Sequence, residues 1–130
     1  LAAARERVGE AIDLIVDWAH GPVGQVGGNR APGLWLIESA KRLIARSGPG
    51  VLASDLAAAD AYRGALEGAA KIACPTLVVI GAEDRMTPAK AGMKLAAAIP
   101  GARQATIPAC GHMMMLERPE ETLAILRSAL

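Results

Sequence analysis

A short apolar segment, Thr76–Ile80, constrains the fold more than any other part of the chain. It is rich in β-branched residues and lies between Pro75 and Gly81. A continuous apolar run of this length is typical of a strand that is covered on both faces, as strands of parallel sheets are. A second segment, Arg103–Ile107, is also predicted to form a strand.

A helix is predicted between these two strands, and another after the second. Thr87 is a suitable N-cap residue, Pro88 fits the first helical position, and the helix is expected to continue through Ala98. The last helix is expected from about Pro119 to Leu130. Residues 71–130 are therefore predicted to be an α/β segment, a right-handed βαβ unit with parallel strands followed by one more helix.

Three helices without an intervening strand are predicted in residues 1–70. The first is an amphipathic helix over Ala2–Ala19, because apolar residues recur there at intervals of three and four. A glycine-rich loop is expected over Gly21–Gly33, a second helix from about Pro32, and a third that starts with Ser54 as its N-cap. The loop lacks the Lys-Ser/Thr pair and the preceding strand of a phosphate-binding loop, so we interpret it as a connection.

Composition and charge exclude several classes of function. The 130 residues carry 14 basic and 13 acidic side chains, which leaves no basic face for a phosphate backbone. The longest strongly apolar run, Leu77–Ile80, is far shorter than the about 20 residues that cross a bilayer. The two cysteines, Cys74 and Cys110, do not form a disulfide framework or a metal pair. We therefore predict a cytoplasmic protein that binds neither nucleic acid nor membrane.

Two parallel strands cannot bury both faces and both edges of a sheet by themselves. Parallel sheets occur almost only with helices on both sides and with further strands beside them. The chain also begins at Leu1, without Met and within a helical pattern. We therefore expect a larger sheet, completed either by a second copy in a homo-oligomer or by pairing with a missing N-terminal half.

Asp84 and His112 follow the two predicted strands at similar positions. Asp84 is four residues past Ile80, and His112 is five residues past Ile107. Ligands in open α/β sheets bind outside the carboxyl ends of the strands, where these loops would be adjacent. A carboxylate bonded to an imidazole holds one histidine tautomer and stabilises the imidazolium. Taken singly, each residue also has a structural explanation, as a turn or loop residue.

The run Cys74–Glu117 resembles the C-terminal part of the α/β-hydrolase fold superfamily. The residues that match its acid and histidine motifs are Pro75, Gly81, Asp84, Pro88, Gly111, His112, Glu117 and Pro119. The resemblance implies that Asp84 is the acid and His112 the general base of a Ser-His-Asp triad, and that residues 1–70 are a helical cap. It implies neither a metal nor an organic cofactor, and the apolar cap favours a small hydrophobic ester or amide as substrate.

The nucleophile that the resemblance requires is not recognisable in this sequence. A Gly-x-Ser-x-Gly turn should precede the cap, and the serines present lack the flanking glycines: Ser39, Ser47, Ser54 and Ser128. We therefore predict an esterase-like serine hydrolase whose Ser comes from a missing N-terminal part, so that this segment alone is inactive. Carbon–carbon bond hydrolases and cofactor-free haloperoxidases share the same residues. A non-catalytic segment that associates with itself or a partner is the alternative from another class.

A few further residues have two interpretations each. Trp18, His20 and Trp35 either face a substrate or anchor the helical block. The run Met113–Met115 is interpreted as core packing rather than as an acyl pocket. Cys110 is interpreted as a small buried thiol.

Overall fold

The structure, a computed structural model, describes residues 1–24 and 33–129. Residues 1–70 are helical wherever they are described as regular. Their elements are α1 (Ala2–Glu6), α2 (Val8–Ala19), a 3₁₀ turn (Pro22–Gly24), α3 (Leu36–Ala45), α4 (Val51–Ala61) and α5 (Ala65–Ala69).

The second half contains a parallel two-stranded sheet. Its elements are β1 (Leu77–Gly81), α6 (Ala89–Ala98), β2 (Arg103–Ile107), α7 (Met114–Glu117) and α8 (Pro119–Arg127). The register pairs Leu77 with Arg103 at one end and Gly81 with Ile107 at the other. The predicted mixed α/β architecture with a parallel βαβ unit is confirmed.

The strand register brings the two following loops side by side. Both strands end at the same level, and pairing continues beyond them: the Ala82 N–H donates to Ile107 O at 3.0 Å and the Glu83 N–H donates to Cys110 O at 2.8 Å. The loop after β1 is therefore fixed against the loop after β2 by backbone hydrogen bonds.

The predicted helix over Ala2–Ala19 is two helices, because Arg7 leaves the helical conformation with φ −137° and ψ 62°. Ala4 on α1 and Ala11 on α2 are both buried. The apolar spacing continues across the break, so the pattern could not reveal it.

The predicted start of the third helix at Ser54 is wrong by three residues, since α4 begins at Val51. Gly50 precedes it with φ 81°, a left-handed conformation that suits glycine, and its carbonyl accepts the Ser54 N–H at 2.9 Å. Ser54 therefore lies within the first turns of the helix rather than at its cap.

Other predicted boundaries shift or fall outside the described residues. α3 begins at Leu36, and its predicted start at Pro32 lies outside the described ranges, as does most of the loop over Gly21–Gly33. The last helix ends at Arg127, and Leu130 is likewise not described. Each helix within the described ranges is too short or too polar to span a bilayer.

The expectation that β1 is covered on both faces is not met within this chain. Ile80 and Gly81 are buried, whereas residues 77–79 are only half-buried. Within the described residues the sheet has two strands, and Leu126 on α8 is half exposed (50%). The buried apolar side chains of the sheet therefore lie near the carboxyl ends of the strands, at Ile80 and Ile107, and Cys110 is buried just after β2.

Candidate active site

Asp84 lies in the loop after β1 and is almost fully buried, with 7% of its surface exposed. Its Oδ1 accepts the backbone N–H groups of Met86 and Thr87, both at 2.8 Å. Its Oδ2 accepts the Thr87 hydroxyl at 2.6 Å. Asp84 thus accepts hydrogen bonds from the residues of its own loop, as Asp commonly does in turns, and these bonds fix the orientation of the carboxylate.

His112 lies in the loop after β2 and contacts Asp84 directly. Its Nδ1 is 2.9 Å from Asp84 Oδ2 and 3.1 Å from Thr87 Oγ1. Since the carboxylate can only accept, the proton is on Nδ1 and Nε2 has the free lone pair in the neutral ring. The side chain is 39% exposed. The structure therefore brings together the two residues that the sequence singled out.

The electrostatics keep Asp84 ionised. Burial alone would raise the pKa of this carboxyl, but the hydrogen bonds from the Thr87 hydroxyl and N–H and the contact with His112 hold the pKa below its usual value. An anion beside Nδ1 is the environment in which an imidazole that receives a proton on Nε2 is stabilised. The pair can therefore act as a base that accepts and returns one proton.

Thr87 belongs to this cluster, and its predicted role as the N-cap of α6 is wrong. α6 begins at Ala89 after Pro88, and the Thr87 hydroxyl bonds to Asp84 and not to the helix. Pro88 is itself the N-cap residue, with φ −51° and ψ 142°, so its predicted place at the first helical position is also wrong. The spacing Asp-x-x-Thr was the available signal for this bond.

A second buried carboxylate, Glu117, lies behind the His112 loop with 1% of its surface exposed. Its Oε2 accepts the Gly21 N–H at 2.9 Å, and both of its oxygens lie 3.1 Å from the Gly111 nitrogen. Burial raises the pKa of the nearby Cys110 thiol to about 11, and the negative charge of Glu117 adds to that effect. Cys110 is therefore a buried neutral thiol, as predicted.

The end of α2 also holds the His112 loop. The carbonyl of Ala19 accepts the N–H of His112 at 2.8 Å and the N–H of Met113 at 3.2 Å. The helical half of the chain thus provides a direct backbone support for the histidine.

The other residues that the sequence singled out differ in their exposure. Trp18 and Trp35 are about half exposed, and Trp18 lines an apolar cavity of about 330 Å³ together with Leu14 and Leu56. His20 is buried, and its Nδ1 donates to Val16 O at 2.8 Å, so it anchors α2. In the Met113–Met115 run, Met115 is exposed, so core packing does not describe that residue.

Replacing Thr87 by Val is expected to weaken the native state by about 1.5–3 kcal/mol at neutral pH, because a hydrogen bond to a buried carboxylate is lost. The pKa of Asp84 should rise. A carboxyl whose folded pKa is depressed contributes stability that is present above its unfolded pKa and lost as pH falls through the folded pKa. In Thr87→Val, the free energy of unfolding that is lost on acidification should therefore be smaller, and the loss should occur at higher pH. Urea unfolding between about pH 7 and pH 2 measures it.

The matched control is Thr106→Val, at an exposed threonine of β2. It makes the same chemical change away from the carboxylate and should leave the acid transition where it is in the original chain. An unchanged acid transition in Thr87→Val would contradict the assigned hydrogen bond.

The chain matches a family model and is similar to solved structures of known proteins. A family model described as "Alpha/beta hydrolase family" matches residues 1–125. Among solved structures, the chain is similar to Est816, described as an N-acyl homoserine lactone degrading enzyme, with 28% identity and a TM-score of 0.79 over 99% of this chain. It is also similar to a thermophilic esterase from Thermogutta terrifontis, with 25% identity and a TM-score of 0.76 over 98% of this chain.

A shorter similarity is found among curated proteins. The putative carbamate hydrolase RutD of Klebsiella pneumoniae (strain 342) is 50% identical over 44 residues, which are 34% of this chain and 16% of RutD. The chain covers 50% of the Est816 structure and 45% of the Thermogutta esterase. It therefore spans about half the length of these solved structures.

Proposed function

The chain belongs to the alpha/beta hydrolase family, and from this premise we propose that it is part of a hydrolase that cleaves ester (acyl) bonds. Asp84 is the acid and His112 is the general base. The observation that carries the proposal is the 2.9 Å contact between His112 Nδ1 and the buried Asp84 Oδ2. The serine nucleophile comes from polypeptide outside these 130 residues.

The proposed reaction follows from the proton positions on His112. With Nδ1–H directed to Asp84, Nε2 takes the proton of the serine hydroxyl as the oxygen attacks the acyl carbon. The imidazolium then gives that proton to the leaving alcohol, and an acyl-enzyme forms. Water repeats the sequence, losing its proton to Nε2, and releases the carboxylic acid and the serine. Asp84 remains ionised throughout and stabilises the imidazolium.

A small hydrophobic ester or amide is the proposed substrate class. Structures described as a thermophilic esterase are among the similar ones, at 25% and 28% identity. The apolar cavity around Leu14, Trp18 and Leu56 is lined by neither Asp84 nor His112, so the substrate class rests on these similar structures. Residues 1–70 act as the cap in this proposal. Both cysteines are unpaired, which suits the cytoplasm as the proposed location.

The test uses the full polypeptide that carries these residues and p-nitrophenyl esters of increasing acyl length. We expect saturable hydrolysis of these esters by the full polypeptide. Absence of ester hydrolysis, together with activity on a carbon–carbon bond substrate or in halide peroxidation, would replace this function by one of its alternatives.

The 130-residue chain alone is expected to give no acyl-enzyme. Mixed with p-nitrophenyl acetate, it should release no stoichiometric burst of p-nitrophenol above the rate in buffer, because no activated serine is present. Mass spectrometry should find no added acetyl group at a serine. A burst equal to the protein concentration would contradict the proposal that the nucleophile lies elsewhere.

Self-association of the isolated chain is the second proposed property. The two-stranded sheet with half-buried residues 77–79 and the exposed Leu126 favour a covering partner. We expect light scattering coupled to size exclusion to give a dimer or larger species, which Leu126→Glu should weaken. Leu43→Glu is the control, since Leu43 is exposed on α3 of the helical half. A monomer at all concentrations would overturn this property.

A further inference from the structure

Glu117 is a buried carboxylate whose described partners are backbone groups. Its two oxygens face the N–H groups of Gly21 and Gly111, at 2.9 and 3.1 Å. A carboxylate is costly to bury unless such charge-assisted hydrogen bonds compensate for the lost water. An apolar side chain in the same space would leave the buried N–H groups of Gly21 and Gly111 without these acceptors, so the carboxylate does more than fill space.

The two bonded glycines belong to different halves of the chain. Gly21 follows α2, and Gly111 immediately precedes His112. The bond from Gly21 spans 96 positions in sequence. Glu117 therefore ties the segment that leaves the helical half to the residue next to the histidine.

This contact lies beside the other support of the same loop. Ala19 O, two residues before Gly21, accepts the N–H of His112 and of Met113. Three consecutive backbone N–H groups, those of residues 111, 112 and 113, are thus held by one carboxylate and one carbonyl. The Glu117 carboxylate and the Ala19 carbonyl therefore fix the backbone position of His112, and that position decides whether Nδ1 reaches Asp84.

There is no room for a side chain at Gly111. A Cβ on Gly111 would lie 2.8 Å from Ala19 O and 2.8 Å from Glu117 Oε1, and a Cβ on Gly21 would lie 2.8 Å from Gly111 N. The two backbones approach so closely because both positions are glycine. The carboxylate consequently bonds to both N–H groups at once.

We propose that Glu117 is a positioning residue for His112: its carboxylate bridges Gly21 and Gly111 and so holds the imidazole at Asp84. Its value for catalysis rests on the function proposed above. Glu117 itself does not touch the reacting atoms. It affects the reaction only through the position and the tautomer of the His112 imidazole.

The test is an NMR measurement on the 130-residue chain, which contains two histidines. The proton between His112 Nδ1 and Asp84 gives a low-field imidazole signal, assigned by its loss in His112→Asn. Glu117→Gln keeps the size of the side chain but replaces one acceptor oxygen by a donor that opposes an N–H group. We expect this variant to lose or broaden the His112 signal, and the amides of Gly21 and Gly111 to exchange about tenfold or more faster.

Two controls separate positioning from a general loss of stability. Leu36→Ala removes a buried side chain of α3 and should lower stability while keeping the His112 signal. Glu67→Gln removes an exposed charge on α5 and should change nothing. If Glu117→Gln does not fold, Glu117→Asp takes its place, because it keeps the charge but withdraws both oxygens by one methylene.

A folded Glu117 variant that keeps the full His112 signal overturns the proposal, as does an equal loss of that signal in Leu36→Ala. In the full polypeptide, Glu117→Gln should lower kcat about 10- to 100-fold with KM little changed. A rise in KM with unchanged kcat would also overturn it. The NMR result is independent of turnover, so a failure of ester hydrolysis is distinguishable from a failure of positioning.

Discussion

Replacing Asp84 by Asn in the full polypeptide is expected to lower kcat for ester hydrolysis about 10⁴-fold. The amide is the same size but cannot accept the Nδ1–H with a full negative charge, and it stabilises the wrong tautomer of His112. His112→Asn removes the base itself and should cost a similar factor or more. The measurement is steady-state hydrolysis of a p-nitrophenyl ester, with KM expected to change little.

Because the two residues act as one unit, the double variant should be little worse than either single one. Asp55→Asn is the matched control, since Asp55 is exposed on α4, and it should keep the original rate. An Asp84→Asn protein that is folded and retains more than about a tenth of the original kcat would contradict the proposed role of the pair.

Replacing Gly81 by Ala is expected to destabilise the chain by about 4 kcal/mol or more, a large part of the 5–15 kcal/mol that holds a typical domain together. A Cβ at this last residue of β1 would lie 2.7 Å from Cys110 O and closer still to Gly111 O. Both are backbone atoms of the loop that carries His112, so neither can move without disturbing that loop. Urea unfolding followed by circular dichroism measures the loss.

Gly9→Ala provides the matched control for this substitution. Gly9 lies in α2 with open space at its Cβ position, and alanine in a helix should stabilise it by about 1 kcal/mol. If Gly81→Ala were as stable as Gly9→Ala, the close approach of the two loops would be contradicted. The same preparation should show a disturbed His112 signal, because the loop would have moved.

The proximity of Asp84 and His112 could be predicted because strand topology places the loops that carry them side by side. Each residue follows its own strand by a few positions, and a βαβ crossover makes those strands parallel neighbours. Their carboxyl ends must then meet at one edge of the sheet. The parallel pairing of β1 with β2 confirms that step, whereas the catalytic role of the pair stays a prediction.

The supports of the site could not be predicted in the same way. The Glu117–Gly21 hydrogen bond joins residues 96 positions apart, and no local period or cap signal records such a pairing. Thr87 was misassigned because its local signal as an N-cap competed with a bond to Asp84 that only the folded loop shows. The break at Arg7 was missed because buried alanines on both sides keep the apolar spacing.

The bond between Ala19 and the histidine loop has a consequence for building chimeras. A junction between two relatives at the end of α2 would cut the chain after Ala19. Such a junction would take Ala19 and His112 from different relatives, whereas Gly21 and Glu117 would still come from the same one. The junction should therefore lie before residue 19, so that residues 19–21 and 111–117 come from the same relative.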